Sequence, residues 1–198
     1  MTTAAPDREP LTDRGRRTRE AVLSSARSVF EHQGYGATRM GDIASAAGVA
    51  HGTVYTYFDT KESVLAAVVQ QVIEDLLHAL HASSAADPLE RISDANHRYL
   101  TAYSEHARLL QVVEEASFAE RQFEEILEQL RATHVQRVAA AIAKLQREGA
   151  ASADLDPQAT AAALCAMVEG FARHWPNPDA NNTLTTLWAR ALGLSEKE

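Results

Sequence analysis

The stretch of sequence that decides the fold spans residues 38–61 and reads TRMGDIASAAGVAHGTVYTYFDTK. Its first half carries apolar side chains at helical spacing, namely Met40, Ile43, Ala44 and Ala47. This helix is expected to begin at Thr38, whose hydroxyl can cap free amide groups, and to end at Gly48, because glycine adopts the left-handed conformation at little cost. A second helix is expected from about Ala50. The pattern therefore predicts two short helices around a tight turn.

The second of these helices has one apolar face and one polar face. Val54 and Phe58 lie one turn apart and are expected to face inward. The outer face then consists of His51, Gly52, Thr53, Tyr55, Thr56 and Tyr57. Small and hydroxyl-bearing side chains allow a helix to enter the major groove of DNA. The pattern indicates a helix-turn-helix DNA-binding unit, and the alternative is a solvated helical hairpin.

Four short motifs within this stretch together resemble the DNA-binding signature of the tetracycline-repressor (TetR/AcrR) family: Gly48-Val49, Gly52-Thr53, Tyr55-x-Tyr57-Phe58 and Lys61-Glu62. The resemblance covers about a quarter of the chain closely, and elsewhere only the length and the helical layout match. It implies that His51, Gly52 and Thr56 contact bases. It also implies phosphate contacts from Thr38, Thr53, Tyr55, Tyr57 and Lys61.

The chain departs from the family pattern at two positions. Arg39 stands where many relatives have threonine, and Gly41 stands where many have a basic or polar residue that contacts DNA. Arg39 either compensates for Gly41 by binding a phosphate or covers the helical hairpin, and the sequence leaves both interpretations open.

Charge is distributed unevenly along the chain. The formal net charge is -8, which argues against a nucleic-acid partner because phosphate binding needs a basic surface. Residues 1–61, however, contain eight Lys and Arg against seven Asp and Glu, whereas the remainder contains eleven against twenty. A basic segment over residues 14–19 can contact phosphates or can serve as a solubilising tail. This asymmetry suits a protein that binds DNA with one end.

The rest of the sequence predicts helices throughout. We expect an all-α fold of about nine helices, with a three-helix helix-turn-helix head followed by a helical body. The expected organisation is a flexible arm over residues 1–12, a DNA-binding domain over 13–60, and a ligand-binding and dimerisation domain over 61–198. Within the body, separate helices are expected over residues 88–103 and 104–116, and a long helix over 119–148.

The last two helices carry more large apolar side chains than peripheral helices need. Pairing them with a second copy would form a four-helix interface, whereas the alternative is that they complete the core of one chain. The expected interface residues are Leu164, Val168, Phe171, Trp175, Leu184, Leu187, Trp188 and Ala191. A homodimer would place two recognition helices on two half-sites of a palindromic operator.

The middle helices place polar and aromatic side chains close to apolar stripes, where a ligand cavity can form. The candidate residues are Asn96, Tyr99, Tyr103, Glu114, Phe118, Phe123, His134, Met167 and Phe171. His134 falls on the same stripe as Leu127 and Val138, so it either faces a ligand or is a hydrogen-bonded core histidine. Tyr99 and Tyr103 either orient a ligand or simply pack.

Other function classes find little support. Asp75, His78 and His81 have a spacing that can place metal ligands on one helix face, but solvent-facing histidines explain it better. No phosphate loop or nucleophile motif occurs, and Cys165 suits a structural thiol. We expect no enzyme activity, no cofactor and no metal. A single cysteine and the lack of a long apolar run favour a cytoplasmic protein.

Several mechanisms remain open at this level. The favoured one is repression by a homodimer that is released when a small-molecule effector of unknown identity binds the body. Activation, and repression assisted by the ligand, are alternatives. A helical protein that uses the hairpin to bind another protein is a further alternative, and such a protein would select no operator.

Overall fold

The computed structural model describes residues 12–79, 85–174 and 180–194, and α-helices are the only regular secondary structure within these ranges. Eight helices are present there: α1 (Asp13–Ala37), α2 (Met40–Ala46), α3 (His51–Tyr57), α4 (Lys61–Ala79), α5 (Pro88–Ser117), α6 (Arg121–Arg147), α7 (Pro157–His174) and α8 (Ala180–Leu192). The predicted all-α class is confirmed. The predicted arm, apart from Thr12, and Trp175 lie outside the described residues.

Helices α1–α3 form a compact unit that we call the head. Helix α1 begins after Thr12, whose hydroxyl accepts a hydrogen bond from the Gly15 amide at 3.2 Å. Its helical geometry is interrupted at Gly34, where φ is 77°. Helix α2 ends before Gly48, where φ is 65°, and the Val49 amide donates back to the Ala44 carbonyl at 3.1 Å. This closure is a glycine-terminated helix end of the kind predicted.

The start of α2 differs from the prediction. Thr38 does not cap this helix, because α2 begins at Met40 and Arg39 is its N-cap. The Thr38 side chain is buried, and its hydroxyl donates to the Gly34 carbonyl at 2.7 Å. The Arg39 amide instead donates to the Asp42 carboxylate at 2.9 Å. The threonine thus closes the irregular last turn of α1, where the carbonyl of Gly34 needs a donor.

Helices α4–α8 form the body, and α5 is its longest member. The two helices expected over residues 88–103 and 104–116 are one continuous helix of 30 residues, which explains why the described ranges hold eight helices where about nine were predicted. After Pro88 at its first turn, this segment contains no proline or glycine that would break the helix. Helix α5 packs against α1, α4, α6, α7 and α8.

Two hydrophobic cores lie along α5. The first joins the head to α4 and to the second half of α5, with Phe30, Ile43, Leu65 and Leu109 fully buried. The second lies among the first half of α5 and helices α6, α7 and α8, with Ile142 and Leu184 at its centre. Since the first core crosses from the head into the body, the head is packed firmly onto α4 and α5.

Half of the side chains expected at a dimer interface are buried within the chain itself. Leu164, Val168, Leu184 and Trp188 all belong to the second core. These four side chains therefore complete the core of one chain, which is the stated alternative, and they leave little surface for contact with a second copy. Leu187 and Ala191 are exposed on α8, and Phe171 is half-buried on α7. The sequence pattern identified the apolar positions but not which of them α5 and α6 would cover.

Candidate nucleic-acid interface and effector cavity

Helix α3 is held against the head by its apolar face and presents its other face outward. Val54 and Phe58 are buried, as predicted. On the opposite face His51, Gly52, Tyr55 and Thr56 are exposed, whereas Thr53 and Tyr57 are half-buried. The His51 ring packs edge to face on Tyr55, with ring centroids 5.1 Å apart. The outer face therefore combines small, hydroxyl and aromatic side chains on one short helix.

Three basic side chains flank the helix-turn-helix in sequence, and two of them lie over aromatic rings that help to hold it. Lys61 donates from Nζ to the Tyr35 carbonyl at 2.8 Å and lies 4.2 Å from the centre of the Tyr35 ring. Arg19 lies over the Phe58 ring, 5.2 Å from its centre. Arg39 is exposed at the start of α2. An ammonium group has three donors, so Lys61 retains donors for a phosphate while it holds Tyr35.

Glu62 completes the attachment of Tyr35 to α4. The Tyr35 hydroxyl donates to the Glu62 carboxylate at 2.8 Å. Burial and this hydrogen bond both raise the pKa of Tyr35. Burial works to raise the pKa of Glu62 as well, but hydrogen bonds to the carboxylate and the nearby Lys61 bring it below its usual value. The first two residues of α4 therefore hold the end of α1 from both sides.

Helix α5 reaches the same junction with Glu115. Its carboxylate accepts the amide hydrogens of Tyr35 and Gly36, each at 3.2 Å, directly after the break at Gly34. Nearer the middle of α5, the buried His106 ring lies between Arg27 of α1, 3.1 Å from Nδ1, and Asp75 of α4, 3.2 Å from Nε2. Local sequence patterns contain no sign of these two roles, since the partners lie far away along the chain.

The body contains a cavity of about 560 Å³ between α5, α6, α7 and α8. Of the predicted ligand residues, Asn96, Tyr99 and His134 line it. Its volume falls within the range of about 300–1,000 Å³ typical of small-molecule sites. The other residues of its wall include Arg91, Arg137, Lys144 and Trp188, none of which was predicted as a ligand residue. Arg137 and Lys144 lie two helical turns apart, a spacing that would have placed them on one face of α6.

A smaller cavity of about 40 Å³ lies on the other side of Tyr99 and His134 and is lined by Tyr103 and Glu114 as well. By volume it holds only a few water molecules. An ion-pair network closes it: Arg131 and Arg173 both donate to Glu169, at 3.0 and 3.2 Å, and Arg173 also contacts Glu114. These charges balance one another, so this side is a structural network, and the large cavity is the better ligand site.

His134 and Tyr99 form the wall between the two cavities. Their rings stack with centroids 4.8 Å apart. Burial lowers the pKa of His134 to about 4, so its ring is neutral at neutral pH, and burial also raises the pKa of Tyr99. Cys165 is buried, and burial raises the pKa of its thiol to about 12, which suits the structural role predicted for it.

The remaining predicted ligand residues do not line either cavity. Phe118 is 93% exposed at the end of α5, so its placement in a pocket is wrong. Phe123 is fully buried in the first core, edge to face with Tyr35. Met167 and Phe171 pack against the second core. Apolar or aromatic type and helical spacing were the only signals for these four, and such signals do not distinguish a cavity wall from a packed core.

Metal binding and membrane insertion find no support in the described parts of the chain. No group of three or more His, Cys, Asp or Glu side chains there could hold a metal ion, and Asp75 pairs with His106. His81, the third member of the candidate metal set, lies outside the described residues. None of the described helices is long and apolar enough to cross a bilayer.

Comparison with known proteins agrees with this architecture. The HTH-type transcriptional repressor Rv3405c of Mycobacterium tuberculosis is 35% identical over 101 residues, which are 50% of this chain and 54% of the repressor, so the match spans about half the length of each. The HTH-type transcriptional regulator TtgR of Pseudomonas putida is 27% identical over 169 residues, 80% of either chain. The structure of Salmonella enterica GusR has the same fold, with a TM-score of 0.75 at 21% identity over 96% of this chain and 100% of that one.

Two family profiles match most of the chain. The profile described as "Bacterial regulatory proteins, tetR family" matches residues 22–68, which contain the helix-turn-helix. The profile described as "Tetracyclin repressor-like, C-terminal domain" matches residues 83–185, which are more than half of the chain. The chain therefore belongs to the TetR family, whose members are DNA-binding transcriptional regulators and not enzymes.

Proposed function

We propose that this regulator is a homodimeric repressor, that α3 binds the half-sites of a palindromic operator, and that a small molecule in the large cavity releases it. The observation that carries the proposal is the outer face of α3, which exposes His51, Gly52 and Thr56 while Val54 and Phe58 fix the helix to the head. Small side chains at these positions permit close approach to base edges. Phosphate contacts come from the residues around these base-reading positions, namely Thr53, Tyr55, Tyr57, Lys61 and Arg39.

The exposed faces of α7 and α8 support a dimer. On α7 these positions are occupied by Ala162, Ala163 and Ala166, and on α8 by Leu187 and Ala191. Small side chains let helices approach one another closely, and two copies of this pair form a four-helix interface around a twofold axis. Two recognition helices related by that axis match half-sites about one DNA turn apart, roughly 34–36 Å.

Release requires that the cavity and the head be coupled. Helix α5 supplies Asn96 and Tyr99 to the cavity wall and, further along, binds the head through His106 and Glu115. A ligand that shifts α5 therefore alters the contacts that fix the orientation of the head. A coupling free energy of about 1–3 kcal/mol would weaken operator binding roughly 5- to 150-fold.

The test is selection of bound duplexes from a random DNA pool by the purified protein at moderate salt. We expect enrichment of a palindrome, which is lost in a Thr53→Ala/Tyr57→Phe variant. Phenylalanine retains the packing of the Tyr57 ring against the first core and removes only the hydroxyl. Thr101→Ala, at an exposed position of α5, is the matched control and should select the same sequence.

Salt dependence separates phosphate contacts from loss of folding. The double variant should bind the selected duplex more weakly but with an unchanged dependence on salt concentration, because neutral hydroxyl groups can hydrogen-bond a phosphate without neutralising its charge. Arg39→Gln, which removes a charge, should instead bind with a shallower dependence on salt concentration. Enrichment of no sequence by the parent protein, with or without small molecules, would contradict the proposal and favour a protein-binding role for the head.

A further inference from the structure

The large cavity has an apolar wall over most of its surface. The apolar side chains that line it are Ile92, Val138, Ile142, Leu145, Val168 and Leu192. A wall of this composition favours an apolar ligand body, because burying apolar surface releases about 25 cal/mol for each Å². An apolar wall alone, however, does not discriminate among apolar molecules that carry different polar or charged head groups.

Two buried donors in the same wall lack hydrogen-bond partners. The indole N–H of Trp188 and the amide nitrogen of Asn96 have none among the described residues, although the two side chains are only 6% and 4% exposed. A buried donor without a partner is costly, so such groups usually have one. Because an indole can only donate, the missing partner of Trp188 is a hydrogen-bond acceptor. Both side chains line the cavity, and a rotation of either side chain would turn its nitrogen atom, which is shielded in this structure, toward an acceptor on a ligand.

The charge of the cavity wall is opposite to that of the protein. Arg91, Arg137 and Lys144 line the cavity, and its lining residues include no Asp or Glu. Glu148, outside that lining, lies 3.8 Å from Arg91 and 3.7 Å from Lys144, so one carboxylate is shared by two cations. Arg137 donates to the neutral Leu77 carbonyl at 2.7 Å. In a chain with 27 acidic and 19 basic side chains, this concentration of positive charge points to an anionic occupant.

From the apolar wall, the unpartnered donors and the cations, we propose that the effector is an amphipathic organic anion. Its apolar body lies among α5, α6, α7 and α8, its acidic group binds the cations of the wall, and its oxygen atoms accept from Trp188 and Asn96. The inference rests on the proposed function, because it names the chemical class of the effector. A neutral apolar molecule would leave both donors unpaired, and an organic cation would be repelled by the wall.

The first experiment compares three probes that share one apolar chain and differ in the head group: decanoate, decan-1-ol and decylammonium. Binding to the purified wild-type protein is measured by titration calorimetry without DNA, below the concentrations at which the probes aggregate. We expect decanoate to bind at least tenfold more tightly than decan-1-ol, and decylammonium to bind most weakly. Equal binding of decanoate and decan-1-ol, no binding of decanoate, or a preference for decylammonium overturns the proposal.

Two variants on one helix then test the charge. Lys144→Gln removes a cation of the cavity wall, and Arg147→Gln removes a cation from an exposed position on α6 outside that wall. We expect Lys144→Gln to weaken decanoate binding about three- to tenfold and to leave decan-1-ol binding unchanged. Arg147→Gln should change neither. Equal losses in the two variants would indicate a general effect of net charge and would overturn the assignment of Lys144.

Asn96→Leu tests the role of the buried Asn96 amide through the melting temperature of the protein without ligand. If the amide served only to stabilise the fold, its loss would lower this temperature. Leucine replaces an unpartnered amide by an apolar side chain of similar size, so the melting temperature without ligand should rise. Decanoate affinity should fall, and the discrimination between decanoate and decan-1-ol should narrow. A lower melting temperature together with unchanged discrimination would show that the amide is satisfied within the protein and would overturn its role.

A final step separates this inference from the proposed function. Decanoate is added to the complex of the protein with its selected duplex. Selective binding of decanoate without release of the duplex would support the anion site and contradict release by the ligand. Release by neutral compounds, with decanoate inactive and unbound, would support a ligand-released repressor and overturn the anionic class.

Discussion

At the scale of single residues, Gly34 determines how the head meets α5. Its backbone lies at φ 77° and ψ 169°, a region that essentially only glycine occupies. A Cβ added there would lie 2.9 Å from the Glu115 carboxylate, the group that accepts the amides of Tyr35 and Gly36. The glycine therefore permits both the turn and the close approach of α5.

We expect Gly34→Ala to lower the free energy of unfolding by about 2 kcal/mol, since a non-glycine residue in such a conformation costs roughly 1–3 kcal/mol. Gly36→Ala is the control, because its φ is not positive and its added Cβ would lie 3.4 Å from the same carboxylate. Urea denaturation of both variants measures the difference. Similar losses in the two would show that crowding by Glu115, and not the backbone of Gly34, is the cause.

His134 predicts a pH dependence of stability. Its pKa in the folded protein is about 4 because burial disfavours the charged ring, whereas an unperturbed histidine has a pKa near 6.5. The unfolded chain therefore binds this proton first as the pH falls. The stability that depends on a neutral ring is complete above pH 6.5 and is lost progressively toward pH 4. The nearby Glu169 and Arg137 act on this pKa in opposite directions, Glu169 raising it and Arg137 lowering it.

Replacing His134 by Phe should remove this pH-dependent part of the stability, while the phenylalanine keeps an aromatic ring against Tyr99. Between pH 7 and pH 4.5 the wild type should lose about 2 kcal/mol more than His134→Phe, by the relation between pKa and free energy. The measurement is chemical denaturation at several pH values. Parallel pH profiles for the two proteins would show that the ring of His134 is charged, or freely hydrated, in the folded state.

At the scale of secondary structure elements, α3 contains a glycine that its own fold does not require. Gly52 is exposed, its φ is not positive, and an added Cβ would meet nothing within 4 Å. Alanine is favoured over glycine in a helix by about 1 kcal/mol. A glycine that is costly for the helix and unnecessary for packing is consistent with a surface that must approach DNA closely.

Gly52→Ala should therefore maintain or raise the melting temperature and weaken binding to the selected duplex about tenfold or more. Gly48→Ala should instead lower the melting temperature, because φ at this position is 65° and a side chain there costs about 1 kcal/mol of stability. Thermal melts and duplex titrations of both variants provide the comparison. Unchanged duplex affinity in Gly52→Ala would exclude close approach at this position.

Much of this level of structure could be predicted from the sequence. Helical periodicity and glycine positions located α2, α3 and the turn between them to within two residues, because the signals are local. The prediction of two helices in place of the continuous α5 was wrong. The sequence around Ser104 contains no proline or glycine, and this absence was the only local sign of a single helix. Glu115 and His106 could not have been found, because their partners lie more than thirty residues away along the chain.

At the scale of the whole molecule, the sequence could not show which apolar side chains of α8 stay exposed after the chain has folded. Leu184 and Trp188 are as apolar as Leu187, but only Leu187 is exposed, at 43%. Whether α5 and α6 cover a position depends on helix rotation and packing angle, which no single helix encodes. Helix rotation and packing also decide which side chains line the cavity. The sequence therefore identified some of its lining residues on α5 and α6 but did not identify its cations.

We expect Leu187→Glu to convert the proposed dimer to monomers, or to weaken it by at least tenfold, because the proposed interface would bury a charge where α8 meets its copy. Phe118→Glu is a matched control, since Phe118 is a more exposed apolar side chain that lies at the end of α5. Sedimentation velocity over a range of protein concentrations reports the assembly state. A dimer that survives Leu187→Glu and dissociates with Phe118→Glu would place the interface near the end of α5 instead.

The unbroken length of α5 has a mechanical consequence. Asn96 at the cavity and Glu115 at the head lie ten and nine residues from His106, which is about 15 and 14 Å along a helix with a rise of 1.5 Å per residue. His106 is held between α1 and α4, so it lies where a lever of this shape would have its fulcrum, with arms of nearly equal length. If α5 tilts as a rigid body about that point, its two ends move by nearly the same distance in opposite directions, so a displacement at the cavity would reach the head reversed in direction and little reduced in size.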